Sequence, residues 1–252
     1  MIFSIAVVVP WRTRQTPTVA GLPALKGKGC ASACTWPPPV AHILFIVALH
    51  LAQDEEVDRR LADDPLALLI GMLLHDDQHP VERAFMAPVR LAERLGVERL
   101  TVTHLCEVDM GLLTAAFAKV PVLHPFPAVK AQRVRRLCEH LTRGYGGDGA
   151  RVWADPLAWV VLARLRELPG FDRQKAQIFL ALLGKRLGVR PQGWQAAAGR
   201  YGTEDVFLSV ADISDDVSLG RVRQYRKRLV PEASEPAWST GPAAAGPAQT
   251  AG

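Results

Sequence analysis

The stretch LRELPGFDRQKAQIFLALLG, residues 165–184, indicates its local structure more clearly than any other part of the chain. A helix-like segment stops at Pro169 and Gly170, because proline and glycine end helices. A second helical segment begins at Asp172, a residue type that caps helix amino termini well. Two helices joined by so short a turn direct backbone N–H groups and the positive end of a helix dipole to one point, where a phosphate group can bind.

The turn resembles the L-P-G-x-G-x-x-x-A hairpin of the HhH-GPD superfamily of base-excision DNA glycosylases. The matching residues are Leu168, Pro169, Gly170, Phe171 and Asp172, followed by Lys175 and Ala176. The likeness extends from about residue 51 to about residue 229, and residues 64–74 with Gln78 are similar to the family's opening helix and DNA-probing loop. The resemblance implies an all-α, two-lobed fold that contains a helix-hairpin-helix and binds double-stranded DNA.

Helical periodicity dominates the sequence between its two ends. Apolar spacing predicts helices over residues 65–75, 81–95, 109–118, 129–145, 157–168, 172–187, 194–198 and 217–229, and it predicts no strand. Residues 46–230 are expected to form the glycosylase-like domain. Residues 1–45 are expected to be a poorly ordered leader that reflects a misassigned start, and the Pro/Ala/Gly-rich residues 231–252 a disordered tail.

The charge balance permits binding to nucleic acid without demanding it. The chain carries 30 Lys and Arg against 25 Asp and Glu, a net charge of +5. Under the resemblance, the residues expected to contact DNA are Leu168, Pro169, Gly170, Phe171, Asp172, Lys175, Gln78, Arg133 and Arg136. No apolar run approaches the ~20 residues that cross a bilayer, so no membrane partner is expected. A cytoplasmic location and a monomeric state are expected as well.

The resemblance also places two glutamines at positions where the family carries catalytic residues. The lysine of bifunctional members falls at Gln174, and an amide cannot form a Schiff base. Lys175 is one step further along the helix, turned by about 100°, so it is expected to be a phosphate contact or a solvated lysine. The family's aspartate falls near Gln192, and no acidic residue occurs between Lys185 and Tyr201.

A glycosylase needs a carboxylate near the anomeric carbon, either to stabilise an oxocarbenium-like centre or to activate water. The candidates are Glu204 and Asp205, after the second hairpin helix, and Asp76 and Asp77, after the first apolar helix. Trp194 is the candidate for stacking on a flipped base. The other two tryptophans of this region, Trp153 and Trp159, are expected to lie in the core.

No cofactor is expected. Many members of the superfamily hold an iron–sulfur cluster on four cysteines near the carboxyl terminus, but no cysteine follows Cys138 here. Asp172 replaces the second glycine of the hairpin, and its charge repels phosphate. Binding to DNA is therefore expected to be weaker than in glycine-bearing members, or to be assisted by a monovalent cation at the hairpin.

Two other functions are compatible with the sequence. Gln174 and Gln192 are also what a non-catalytic DNA-binding or lesion-recognition module with a degenerate active site would carry. Separately, His75-Asp76 with His50 upstream resembles the H…HD pattern of HD-type metal-dependent phosphohydrolases, in which such residues hold a divalent ion that activates water. That interpretation predicts indifference to Gly170→Ala.

Overall fold

A computed structural model describes residues 49–76 and 78–229 of the protein. Ten α-helices occur in these residues, and the backbone forms no strand there beyond one isolated bridge between Leu157 and Gln192. The helices are α1 Glu55–Asp63, α2 Pro65–Leu74, α3 Val81–Arg94, α4 Val102–Glu107, α5 Met110–Ala118, α6 Pro127–Tyr145, α7 Ala158–Glu167, α8 Arg173–Arg186, α9 Trp194–Ala198 and α10 Asp216–Leu229. The all-α prediction is confirmed for the described residues. The predicted leader, the predicted tail and Asp77 lie outside them.

Short polar side chains set the helix starts. Asp64 caps α2 by accepting hydrogen bonds from the backbone N–H groups of Leu66 and Ala67, at 3.0 and 3.1 Å. Asp172 caps α8 in the same way, with 2.7 Å between its Oδ1 and the nitrogen of Lys175. The predicted cap at Asp172 is thus confirmed, and the two hairpin helices begin and end within one residue of their predicted bounds.

Two helices form the centre of the packing. Residues 66–74 of α2 are all buried, as the continuous apolar run predicts, and residues 178–184 of α8 are buried as well. The turn between α7 and α8 is anchored by Leu168 and Phe171, both buried, and the Phe171 ring meets Phe179 of α8 edge-on at 5.8 Å. None of the helices in the described ranges combines the length and the apolar character that a bilayer crossing requires.

The tryptophan predictions have mixed outcomes. Trp153 is half-buried and packs on Phe179, with ring centroids 5.6 Å apart. The prediction for Trp159 is wrong, because its side chain is 65% exposed. Trp159 is the second residue of α7, and the buried side of that helix is formed by Ala158, Val161 and Leu165.

Candidate functional site

The hairpin turn meets the carboxyl end of α2 through Gly170. The backbone of Gly170 has φ +86°, and a Cβ placed there would lie only 2.4 Å from Cδ1 of Leu73. Leu73 is fully buried, so it has little room to withdraw. Packing therefore requires glycine at this position, independently of any ligand. The close approach of Gly170 to Leu73 also brings the first turn of α8 beside the residues that follow α2.

Replacing Gly170 by alanine is expected to lower the free energy of unfolding by about 2–4 kcal/mol, from overpacking and the positive φ together. Gly188→Ala is the matched control, because Gly188 has φ +66° but a Cβ there would meet nothing within 4 Å. The control should lose only about 1 kcal/mol. Urea denaturation of both variants measures the difference, and equal losses would contradict the predicted clash. Sensitivity to Gly170→Ala consequently cannot distinguish a DNA-binding function from a phosphohydrolase.

A carboxylate cluster, formed by Asp76, His79 and His124, lies directly after α2. Oδ1 of Asp76 accepts hydrogen bonds from Nδ1 of His79 at 2.6 Å and from the backbone nitrogens of Gln78 and His79 at 3.2 and 3.0 Å. Oδ2 accepts from Nε2 of His124 at 3.1 Å. The Asp76 side chain remains 32% exposed, so the carboxylate is held in place and still accessible from outside.

These hydrogen bonds determine the charge of Asp76. Burial alone raises its pKa, but the hydrogen bonds from His79, His124 and the backbone outweigh burial and set the pKa at about 2. Burial is the main reason that the pKa of His124 is lowered, with the hydrogen bond to Asp76 acting in the opposite direction. At neutral pH the cluster therefore presents an ionised carboxylate next to a neutral His124.

The tautomer of His124 argues against a metal ion in the carboxylate cluster. Ligand-type atoms of its three residues lie within 4.8 Å of one another, a spacing compatible with a metal centre. However, Nδ1 of His124 accepts a hydrogen bond from the backbone N–H of Phe126 at 3.1 Å, so the proton of the neutral ring is on Nε2, which faces Asp76. A histidine that binds metal needs the opposite arrangement, with its other ring nitrogen donating. In this tautomer His124 does not fit as a ligand of a divalent ion.

The two histidines of the phosphohydrolase pattern, His50 and His75, have partners outside the carboxylate cluster. Nε2 of His50 lies 3.0 Å from Oδ1 of Asp216, at the start of α10. His75 is buried, and its Nε2 lies 2.7 Å from a guanidinium nitrogen of Arg226. Burial and then the charge of Arg226 lower the pKa of His75 well below its usual range, so this ring is neutral. Neither His50 nor His75 belongs to the carboxylate cluster.

The carboxylate cluster has basic neighbours, because the charge of Asp76 acts on both Lys130 and Lys175. The ammonium of Lys175 donates to the carbonyl oxygens of His75 and Leu73, at 2.8 and 3.3 Å, and so closes the carboxyl end of α2. Of the two expectations for Lys175, a phosphate contact or a solvated lysine, these hydrogen bonds argue against the solvated lysine. Lys130, in the first turn of α6, is only 6% exposed. Arg133 follows one turn later and runs beside Gly170.

The stability of the protein should rise with pH through the titration of Lys175. Burial, and next the charge of Lys130, lower the pKa of Lys175 to about 8, whereas the unfolded chain keeps the usual value near 10.5. Between these two values the folded protein has released a proton that the unfolded chain still holds, so the folded state gains stability as pH rises. Each unit of difference between the two pKa values contributes about 1.4 kcal/mol, so the gain in the free energy of unfolding has an upper limit of about 3 kcal/mol.

Unfolding free energies of the wild type and of Lys175→Met, measured from pH 7 to pH 10.5, test this expectation. As pH rises, the unfolding free energy of the wild type should increase relative to that of Lys175→Met. Lys119→Met, at an exposed lysine at the end of α5, should run parallel to the wild type. If wild type and Lys175→Met also ran parallel, the lowered pKa would be contradicted.

Three of the predicted site residues gather at the other end of α8. Glu204 and Asp205 are exposed and line a cavity of about 320 Å³ together with Trp194 and Lys185. Lys185 lies ten residues after Lys175, which corresponds to about 15 Å of helix. The Trp194 ring is 9% exposed and packs on Gly184, where a Cβ would lie 2.4 Å from the ring. The structure therefore separates this group from the hairpin and from Asp76.

The remaining predicted positions are divided between the surface and the core. Gln78, Arg136, Gln174 and Asp172 are exposed, and Gly170 is exposed on the side away from Leu73. Gln192 is exposed too, and its backbone pairs with the start of α7, with 2.7 Å from its nitrogen to the carbonyl oxygen of Pro156. That position is at the end of α7 opposite to the hairpin turn. The position expected for the family's aspartate therefore does not adjoin the turn.

The basic residues of α10 mostly have partners within the protein. Arg221 stacks over the ring of Phe207 at 4.7 Å, and Arg223 pairs with Glu82 at 2.8 Å. Arg226 contacts His75. These three side chains leave α10 toward different neighbours within the protein.

Sequence reasoning missed His124, Lys130 and Asp212. Lys130 had a signal that could have been used: with Val134, Leu137 and Leu141 it continues the apolar face of α6, and a lysine on such a face is unusual. Asp212 is 3% exposed, and its Oδ1 lies 2.5 Å from the ammonium of Lys185. Nothing in the local sequence marks it as the partner of a lysine 27 positions earlier.

A scan against models of protein families finds no match for the chain, and a search of curated proteins finds none either.

Proposed function

We propose that the protein is a cytoplasmic, monomeric base-excision repair protein that binds double-stranded DNA and removes a damaged or mismatched base as a monofunctional N-glycosylase. The observation that carries this proposal is the position of Asp76. An ionised, partly exposed carboxylate lies next to a tight turn between two helices, of the kind that binds a DNA backbone. The specific two-lobed HhH-GPD fold is part of the same proposal.

In the proposed reaction, Asp76 acts on the sugar of a flipped nucleotide. As the bond between base and sugar breaks, positive charge develops at the anomeric carbon, and a fixed carboxylate stabilises that charge or orients a water molecule toward it. Oδ1 of Asp76 receives three hydrogen bonds, whereas Oδ2 receives one, from His124. Oδ2 is consequently the oxygen that can face the sugar or the water.

The proposed DNA contacts surround this carboxylate. The turn at Gly170 and the first turn of α8 supply backbone N–H groups, and Arg133 supplies a charge beside them. Asp172 opposes phosphate binding through its charge while it caps α8. Exposed Gln78, two residues after Asp76, would fill the space that a flipped base leaves in the duplex.

The alternative proposal is a non-catalytic DNA-binding or lesion-recognition module. Gln174 supports it, since it carries no amine and is exposed at the start of α8. Gln192 supports it as well, because its backbone is fixed at the far end of α7. A metal-dependent phosphohydrolase has weaker support, because the protonation of His124 does not fit a metal ligand.

The decisive experiment incubates the full-length protein with short duplexes that each contain one uracil, alkylated purine, oxidised purine or mismatch. Alkali treatment reveals abasic sites, and gel shifts on the same samples report binding. Abasic product on one duplex would establish the glycosylase and name its substrate. Salt-sensitive binding without product would favour the non-catalytic module, and absence of both would reject the DNA-binding proposal.

A further inference from the structure

We propose that an open cavity beside α7, called the Trp159 cavity below, binds a nucleotide whose base is unpaired, and that Trp159 stacks on this base. The cavity has a volume of about 680 Å³, which is typical of sites for small molecules. Its aromatic and charged lining residues come from the end of α6, the segment after it and α7, and they are His140, Tyr145, Arg151, Trp159, Arg164 and Glu167. The Trp159 cavity shares no residue with the carboxylate cluster or the hairpin turn, so it does not depend on the proposed glycosylase function.

Trp159 is the first reason for this site. Its side chain is 65% exposed and points away from the side of α7 that Ala158, Val161 and Leu165 bury. Tryptophan is highly buried in most proteins, and an indole that lies mostly in water contributes little to the packing of its helix. A planar ring that is open in a cavity is a surface on which a base can stack.

Two arginines give the cavity positive charge. Arg151 and Arg164 line it, and their carboxylate partners are not among the lining residues. These partners are Asp148, 3.6 Å from Arg151, and Asp155, 2.9 Å from Arg164. The pair of Arg151 is the longer one, and both of its side chains are exposed. Arg151 is therefore the arginine that can turn to a phosphate group.

The other lining side chains suit the edge of a base. The rings of His140 and Tyr145 lie at the end of α6 with their centroids 6.0 Å apart, and both residues are half-buried. Glu167 is exposed, and its carboxylate can accept hydrogen bonds from the N–H groups of a base. Aromatic rings for stacking, a cation for the backbone and polar groups for the base edge are how proteins bind unpaired nucleotides.

A protein partner matches the cavity less well. A stable protein interface covers about 800 Å² on each partner and has an apolar centre. Within the described ranges, Trp159 is the one strongly exposed large hydrophobic residue that lines this cavity. A single aromatic ring between charged side chains is too small to form such a centre, whereas it matches the face of one base.

The first test measures the affinity of the full-length protein for a short, fluorescein-labelled, single-stranded oligothymidylate by fluorescence anisotropy. Trp159→Ala should bind at least about tenfold more weakly than the wild type, because one stacked base is lost. Leu112→Ala is the matched control, since the Leu112 side chain is 63% exposed and lies outside the cavity. The control should bind like the wild type. Because Trp159 is exposed, both variants should also melt close to the wild type.

The second test reads the stacking directly through tryptophan fluorescence. The oligothymidylate should quench part of the wild-type emission, and this part should be absent in Trp159→Phe, which keeps an aromatic ring and should retain most of the affinity. Thymidine monophosphate distinguishes the sources of the nucleotide. Quenching by the monophosphate at similar concentrations would identify a free nucleotide as the ligand, and quenching by the oligothymidylate alone would identify a nucleic acid strand.

The contact with phosphate has its own control. For a strand, the log–log salt dependence of binding should fall by about 0.7 in Arg151→Met, the value for one phosphate of single-stranded nucleic acid. Arg143→Met, at an exposed arginine of α6 that does not line the cavity, should leave it unchanged.

Two results would overturn the site: no quenching by either probe, or equal affinities of Trp159→Ala and the wild type for the oligothymidylate. None of these measurements uses a damaged duplex or the release of a base. A failure of the glycosylase proposal would therefore leave the test of the Trp159 cavity intact.

Discussion

Under the proposed glycosylase function, Asp76→Asn should reduce the release of the damaged base at least about 100-fold while leaving the affinity for duplex DNA close to that of the wild type. The amide keeps the size of the side chain and can still accept hydrogen bonds from the backbone of Gln78 and His79. It loses the negative charge that the developing oxocarbenium centre requires. Single-turnover base release on the duplex identified by the panel gives the rate, and gel shifts give the affinity.

Glu204→Gln and Asp205→Asn are the controls for this prediction, because the structure places both residues at the far end of α8. Both variants should keep wild-type rates. Asparagine is chosen at position 205 because its backbone has φ +56°, which asparagine tolerates well. Full activity of Asp76→Asn combined with loss in either control would move the catalytic centre to the cavity lined by Trp194.

Lys185→Met should lower the free energy of unfolding by about 3–5 kcal/mol. The side chains of Lys185 and Asp212 are 10% and 2% exposed, and their charged atoms lie 2.5 Å apart. Oδ2 of Asp212 also accepts hydrogen bonds from the backbone nitrogens of Leu208 and Ser209. Removing the ammonium leaves a buried carboxylate without its counter-charge.

The comparison variant is Arg59→Ala, which removes an ion pair with Glu55 and Glu56 on the exposed side of α1. Pairs of that kind contribute less than about 1 kcal/mol. Chemical denaturation of the two variants under the same conditions measures the contrast. A loss for Lys185→Met as small as that for Arg59→Ala would mean that water or rearrangement compensates the buried carboxylate.

Most of the helical framework follows from local sequence. The continuous apolar run of α2, the caps at Asp64 and Asp172, and the turn at Pro169 and Gly170 all act between residues that are close in the chain. Helix α1 was missed because only Val57 and Leu61 form an apolar pair on a nine-residue segment rich in charge. Helix α4 was missed because it is only six residues long.

The candidate site could be predicted only in part, because its residues meet across long sequence separations. Asp76 was a candidate from its place after an apolar helix. Its partner His124 comes from a segment 48 residues later, and Lys175 reaches the carbonyl of His75 over 100 residues. Periodicity reports which face of a helix is buried, but it does not report which two faces meet. The exposed position of Trp159 is a further example.

The packing of Gly170 on Leu73 has a consequence for how this turn would change during evolution. Selection would keep glycine at this position whether or not the turn binds DNA, because a larger residue would disturb the carboxyl end of α2. The exposed residues nearby, such as Arg173 and Gln174, would accumulate substitutions first. The glycine of the hairpin is therefore explained by packing alone, and its presence does not show that the turn binds a ligand.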